Sequence, residues 1–151
     1  MSGSAGAAHY DQKFYEYQQD GSYRSARFAL AALGEIWRPE SVIDLGCGRG
    51  MWLKVWAELG VSRLVGLDGD WNRQELMASP LIEFRPTDLA KPVAMKDRFD
   101  LAMSIEVAEH VPPSSTDDFA ASMIALSDAL IFGSAYSHQP GENHINTRKH
   151  S

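Results

Sequence analysis

A chain of 151 residues, 44% of them apolar, is one domain's worth of material, with no low-complexity tract to compete for it. A formal net charge of −6 without a Lys/Arg cluster argues against sequence-blind nucleic-acid binding, which depends on neutralising phosphate. No apolar run approaches the roughly 18 residues of a membrane helix. The lone Cys47 permits no internal disulfide, which fits a reducing cytoplasm.

Residues 1–9, small and polar without a basic-then-apolar leader, are read as a disordered lead-in, and residues 10–151 as one domain. Tyr10 to Tyr17 suggests a short helix, with a turn at Asp20-Gly21. Tyr23, Ala26, Leu30, Leu33 and Trp37 recur at steps of three and four, one face of an amphipathic helix that Pro39 closes. Val42 to Leu45 reads as the first strand. Trp52, Leu53, Trp56 and Leu59 form a helical stripe, with Gly60 as its C-terminal cap. Leu64 to Leu67 is the second strand. Asp70 is placed to cap a helix from Trp71 to about Ala78, ended by Pro80. Leu81 to Phe84 and Phe99 to Ser104 are the third and fourth strands. Ser115 with Asp118 resembles a capping box, opening a helix that turns Phe119, Met123 and Leu126 inward. Ala129 to Phe132 is the fifth strand.

Strands alternate with helices, and the strands are short and apolar throughout. Such strands are covered on both faces. An α/β fold follows: a doubly wound, Rossmann-like, mostly parallel sheet of about five strands with right-handed crossovers. Ligands in such sheets lie outside the carboxyl ends of the strands, where the strand order reverses.

The unusual residues fall at those ends. Gly46, Gly48 and Gly50 follow the first strand in "SVIDLGCGRG", so a ligand can touch bare main chain there. The next helix begins near Gly50 and points free N–H groups into the site. Asp68 ends the second strand, where an acid about 20 residues past the glycines takes ribose hydroxyls. The two features together read as a nucleoside site. Asp70 nearby is either a helix cap or a further ligand group. The spacing G-x-G-x-G departs from the dinucleotide pattern, and a charged Asp44 ahead of the loop would repel pyrophosphate. A cationic adenosyl ligand suits it: S-adenosyl-L-methionine carries a sulfonium and an ammonium, and its carboxylate can use the backbone donors. Cys47 reads as a small residue between two glycines; a reactive thiolate there is opposed by Asp44. His138, His144 and His150 recur at a spacing that fits neither helix nor strand, and no Cys/His pair has zinc-site spacing, so no metal is expected.

"VIDLGCGRG", "LVGLDGD", "PTDLAKP" and "FDLAMSIEVAEHVP" resemble, in order and spacing, the successive motifs of class I SAM-dependent methyltransferases. The likeness runs from about Tyr10 to Gly133 and is greatest to small-molecule enzymes with an "EVAEH" loop. It implies that Asp44, Gly46, Cys47, Gly48 and Gly50 face the methionine part of the cofactor, and that Asp68 and Gly69 face the ribose. Asp88 and Leu89 would lie at the adenine, though Asp88 also reads as a turn or cap residue. Glu106 would sit below the sulfonium or simply anchor its loop. His110 is either a general base for an acceptor hydroxyl or a loop-fixing residue. Tyr10, Tyr15 and Tyr17 would cover the cofactor or pack elsewhere.

The resemblance implies O- or N-methylation of a small-molecule acceptor. It also implies two further strands after the fifth, for which the polar residues after Gly133 are a poor match. The C-terminal part therefore reads as incomplete, and the fifth strand as an apolar edge open to a homodimer partner. A non-catalytic or partner-completed SAM-binding module is the alternative. No nucleic-acid or membrane partner is expected.

Overall fold

The computed structural model describes residues 5–134, with side chains from residue 16 onward apart from residue 18. The principal elements are α1 (Ala5–Ile36), β1 (Ser41–Leu45), α2 (Met51–Glu58), β2 (Arg63–Asp68), β3 (Ile82–Pro86), β4 (Leu101–Ile105), α3 (Thr116–Leu126) and β5 (Leu130–Gly133). The strands form one sheet in the order β3-β2-β1-β4-β5, and every pair is parallel. This is the doubly wound α/β sheet expected from the sequence. Strand order reverses between β1 and β4, and in such sheets the crevice that receives a ligand lies at that point, outside the carboxyl ends of the strands.

Alternation along the strands divides the core in two. Val42, Leu64, Leu101 and Met103 face α1 and α2 and pack with Ala26, Leu30, Leu53 and Trp56. Ile43, Leu45, Val65, Leu67 and Ala102 face the other way, against Phe119, Met123 and Leu126 of α3. Trp56, Leu30 and Leu53 are almost wholly shielded from water. Burying a side chain of the Leu class stabilises the fold by about 1.5–3 kcal/mol. Helix α2 stops where the sequence places its stop. Gly60 takes φ 92. Its N–H donates to the Ala57 carbonyl and that of Val61 to Trp56, both at 3.0 Å, closing a Schellman motif over buried Val61 and Trp56.

Four expectations are corrected. Helix α1 passes straight through Asp20-Gly21 and makes no turn there. One helical glycine costs about 1 kcal/mol against Ala, less than ending a helix and nucleating another. Trp37 lies past the helix end and stays 38% exposed, so it does not complete the buried stripe. The helix expected over Trp71–Ala78 is reduced to one 3-10 turn at Gln74–Leu76, because the Asn72 and Gln74 side chains bond elsewhere and Arg73 is extended. Ser115 precedes α3 but makes no side-chain cap bond. Asp117 and Asp118 in the first turn meet the helix dipole instead.

Candidate functional site

The glycine loop folds back over the end of β2. The N–H groups of Gly46 and Cys47 both donate to the Leu67 carbonyl, at 2.7 and 3.0 Å. Gly46 has φ 84, and a Cβ built on it would lie 2.6 Å from Val107 Cγ1. The loop after β4 therefore rests directly on the loop after β1, and only glycine fits between them. Gly50, at φ 79, closes the turn by donating to the Cys47 carbonyl at 2.8 Å, and α2 starts at the next residue. Helix α2 thus opens at the carboxyl end of β1, and the first-turn N–H groups of a helix have no partner within it.

Asp68 clasps this loop. Its Oδ2 accepts the Gly48 N–H and its Oδ1 accepts the Gly69 N–H, both at 2.8 Å. Burial raises the pKa of the Asp68 carboxyl, and the two backbone donors partly offset that. Each oxygen keeps a lone pair for a further donor. Buried Asn72 completes the clasp from the other side: its Nδ2 donates to the Gly48 carbonyl at 2.6 Å. Sequence reasoning missed Asn72, since it was assigned to a helix. Only the spatial return of the β2 loop onto the glycine loop reveals it.

Asp44 lies beneath the loop, 3% exposed, and its Oδ1 has no hydrogen-bond partner among the described residues. Burial, and then the charge of Asp68, push its carboxyl up to about 8. Burial therefore works against the standing negative charge that the sequence reading gave Asp44. The same burial, with the Asp44 and Asp68 charges, pushes the Cys47 thiol up. Its Sγ points into the core toward Gly66, so only the Cys47 main chain faces the site and the side chain is no thiolate nucleophile.

The remaining site residues sit on the neighbouring loops. The Thr87 N–H donates to the Asp68 carbonyl at 2.7 Å, which brings the loop after β3 beside the clasp. Asp88, exposed, accepts the Ala90 N–H at 3.0 Å and pairs with Lys91 at 3.4 Å, the bonding of a turn residue. Leu89 packs on the α3-side core. Glu106 is the only non-glycine residue with positive φ, 55°, among the described residues. Such an outlier at a strand end is backbone strain of the kind held at functional sites. Its N–H donates to the Gly133 carbonyl at 2.8 Å. His110, exposed, ends the 3-10 turn Ala108–His110. Glu109 between them is fully buried, and its Oε2 accepts the Ser134 hydroxyl at 3.1 Å. Sequence reasoning passed over Glu109; an acid three residues past Glu106 in a tight turn was the available signal.

Tyr17 is 79% exposed. The Tyr10 and Tyr15 side chains, with His138, His144 and His150, lie outside the described residues. Among the described residues no group of His, Cys, Asp or Glu is placed to hold a metal ion. An open cleft lined by Trp37, Arg98, Asp100 and Asp128 lies at the amino ends of the strands, away from every residue above.

The sheet order, the glycine loop and the acid clasping it from the next strand accord with a family comparison. A family model described as a methyltransferase domain matches residues 15–132. The chain belongs to that family. The methyltransferase domain is 34% identical over 77 residues to a ubiquinone biosynthesis O-methyltransferase of Methylobacterium sp. (strain 4-46), an alignment covering 47% of this chain and 30% of that protein. Its fold is similar to the methyltransferase domain of bacterial CtHen1-C, with TM-score 0.62 and 20% identity over 82% of this chain and 73% of the other. It is also similar to DhpI in complex with SAH, with TM-score 0.60 and 24% identity over 89% and 66% of the two chains.

Proposed function

We propose that this methyltransferase domain binds S-adenosyl-L-methionine across the carboxyl ends of β1, β2 and β4, and transfers its methyl group to an oxygen or nitrogen of a small-molecule acceptor. One observation carries the reading: Asp68 grips the Gly48 peptide while retaining lone pairs for sugar hydroxyls, beside the free donors that open α2. The residues present fit the cofactor. Asp44 Oδ1 is an orphaned buried acceptor under the loop, suited to a ligand with cationic groups. Asp68 and Gly69 would hold the ribose, Asp88 and Leu89 the adenine, and the Gly46–Gly50 main chain the methionine carboxylate. The lone Cys47 supports a reducing, cytoplasmic setting.

When bound, the cofactor supplies a methyl already activated on a sulfonium. The chain's own work is to orient the acceptor in line with the C–S bond and to exclude water. Val107 packs the loop after β4 against the glycine loop, which would set one wall of the crevice. His110 would serve as general base, taking the proton of an acceptor hydroxyl. A neutral amine acceptor needs less help. Calorimetry with S-adenosyl-L-methionine, its demethylated product and NADH tests the site. The two adenosyl ligands should bind; binding of NADH alone would replace the reading with an oxidoreductase. A His110→Ala variant with unchanged turnover and pH profile would remove the base assignment.

A partner-completed or non-catalytic cofactor-binding module is the second reading. Ile124, Leu130 and Phe132 stay 62%, 44% and 57% exposed beside and along edge strand β5, an apolar surface another chain could cover, including a second copy. Cofactor affinity without turnover across an acceptor panel, restored by a partner, would favour it.

A further inference from the structure

We propose that Asn72 is a positioning residue that sets the glycine loop in its cofactor-receiving turn before any ligand arrives. The inference rests on the cofactor reading above. Gly48 is the hinge of that loop, with φ 53 and open space where a Cβ would be. Its N–H and its carbonyl are held by one residue at the end of β2 and one just after it. Asp68 Oδ2 accepts its N–H at 2.8 Å, and Asn72 Nδ2 donates to its carbonyl at 2.6 Å. The two holds differ in what a ligand does to them. The Asp68 carboxylate must also serve sugar hydroxyls, so its bond to Gly48 is shared once the site fills. Asn72 is 3% exposed and takes no part in the open crevice, so its bond persists.

Asn72 is itself locked. Its Oδ1 accepts the Arg73 N–H at 3.0 Å and Arg49 Nη1 at 3.3 Å, and its own N–H donates to the Gly69 carbonyl at 3.2 Å. The amide can therefore present only Nδ2 to Gly48: a flip would set two carbonyl-type oxygens face to face and strip both N–H donors of their acceptor. The partners Arg49 and Gly69 come from the glycine loop and from the end of β2. Asn72 thus staples the loop after β1 to the segment that follows β2. Preorganisation of this kind lowers the ordering cost that binding would otherwise carry.

The test compares Asn72→Ala and Asn72→Asp with Ser127→Ala. Asn72→Asp keeps an acceptor for Arg49 and Arg73 but sets a carboxylate oxygen against the Gly48 carbonyl in place of the donor, whereas Asn72→Ala removes the donor without adding charge. Ser127 is an equally buried hydroxyl that donates to the Asp100 carbonyl at 2.9 Å, at the far edge of the sheet. It serves as the control for general loss of stability. Calorimetry measures the affinity of each variant for S-adenosyl-L-methionine and its demethylated product, alongside Tm and hydrogen exchange of the Gly48 amide. Both Asn72 variants should bind the two ligands about tenfold more weakly, the scale of one buried hydrogen bond lost, and should exchange the Gly48 amide faster. Ser127→Ala should lower Tm and leave affinity and Gly48 exchange unchanged. Asn72 variants with wild-type affinity, or a Ser127→Ala variant that loses affinity and Gly48 protection as they do, would overturn the proposal. If Asn72→Ala does not fold, Asn72→Ser, small enough for the same site and unable to reach Gly48 as the amide does, takes its place in the comparison. A wild-type chain that binds neither ligand refutes the cofactor reading instead, which keeps the two failures distinct.

Discussion

Asp44 shows what burial does to one residue. An unfolded carboxyl releases its proton near its ordinary 3.8, whereas the folded one holds it up to about 8. Between these values the native state binds more protons than the unfolded chain, so stability falls as pH rises, by at most about 1.4 kcal/mol per pH unit. Asp44→Asn should remove this fall. Denaturant unfolding at pH 5, 6, 7 and 8 should give a shallower pH dependence for the variant; parallel curves would show that Asp44 is not the group responsible. A cationic ligand over the carboxyl favours the ionised form, so binding should release protons, visible as a buffer-dependent enthalpy. Gly46 poses a steric problem rather than an electrostatic one. Gly46→Ala places a Cβ against Val107 at φ 84, where L side chains are strained. It should lose about 2–3 kcal/mol in denaturant titration, with Val107→Ala recovering the clash but not the strain.

Among the elements, β3 is the outer strand on one side of the sheet, and its edge is served by a side chain. Gln74 Nε2 donates to the Ile82 carbonyl and the Phe84 N–H donates to Gln74 Oε1, both at 2.7 Å. The amide occupies the donor and acceptor that a further strand would take. It also explains why the predicted helix did not form, since a helical Gln74 could not reach them. Gln74→Ala should lower stability by about 1–2 kcal/mol and raise concentration-dependent association, read by sedimentation. Unchanged association would mean that the edge is blunted by something else. Strand β5, the opposite edge, carries Phe132 in the open and has no such device among the described residues. Strand and helix positions were otherwise close to legible, because apolar periodicity and the Gly60 stop act locally. The Asp70–Pro80 segment was not, because two amide side chains in it answer to partners in other segments.

For the whole molecule the sharpest expectation is linkage. S-adenosyl-L-methionine at about a hundred times its Kd should add roughly 2.7 kcal/mol and raise Tm by roughly 5–10 °C, while NADH leaves it unmoved. A scanning-fluorimetry trace that does not shift with the adenosyl ligand would undo the cofactor assignment.

By itself the sequence determined the order of strands and helices, the glycine loop and the acid that answers it, because each depends on residues adjacent in the chain or on a repeating pattern. The tertiary structure alone decided that Asp44 is buried and its carboxyl raised, that Asn72 and Asp68 hold Gly48 from its two sides, that Val107 closes on Gly46, and that Glu109 goes inside. Desolvation and hydrogen bonding between distant segments depend on what surrounds a group after the chain has returned on itself, and no local pattern encodes that.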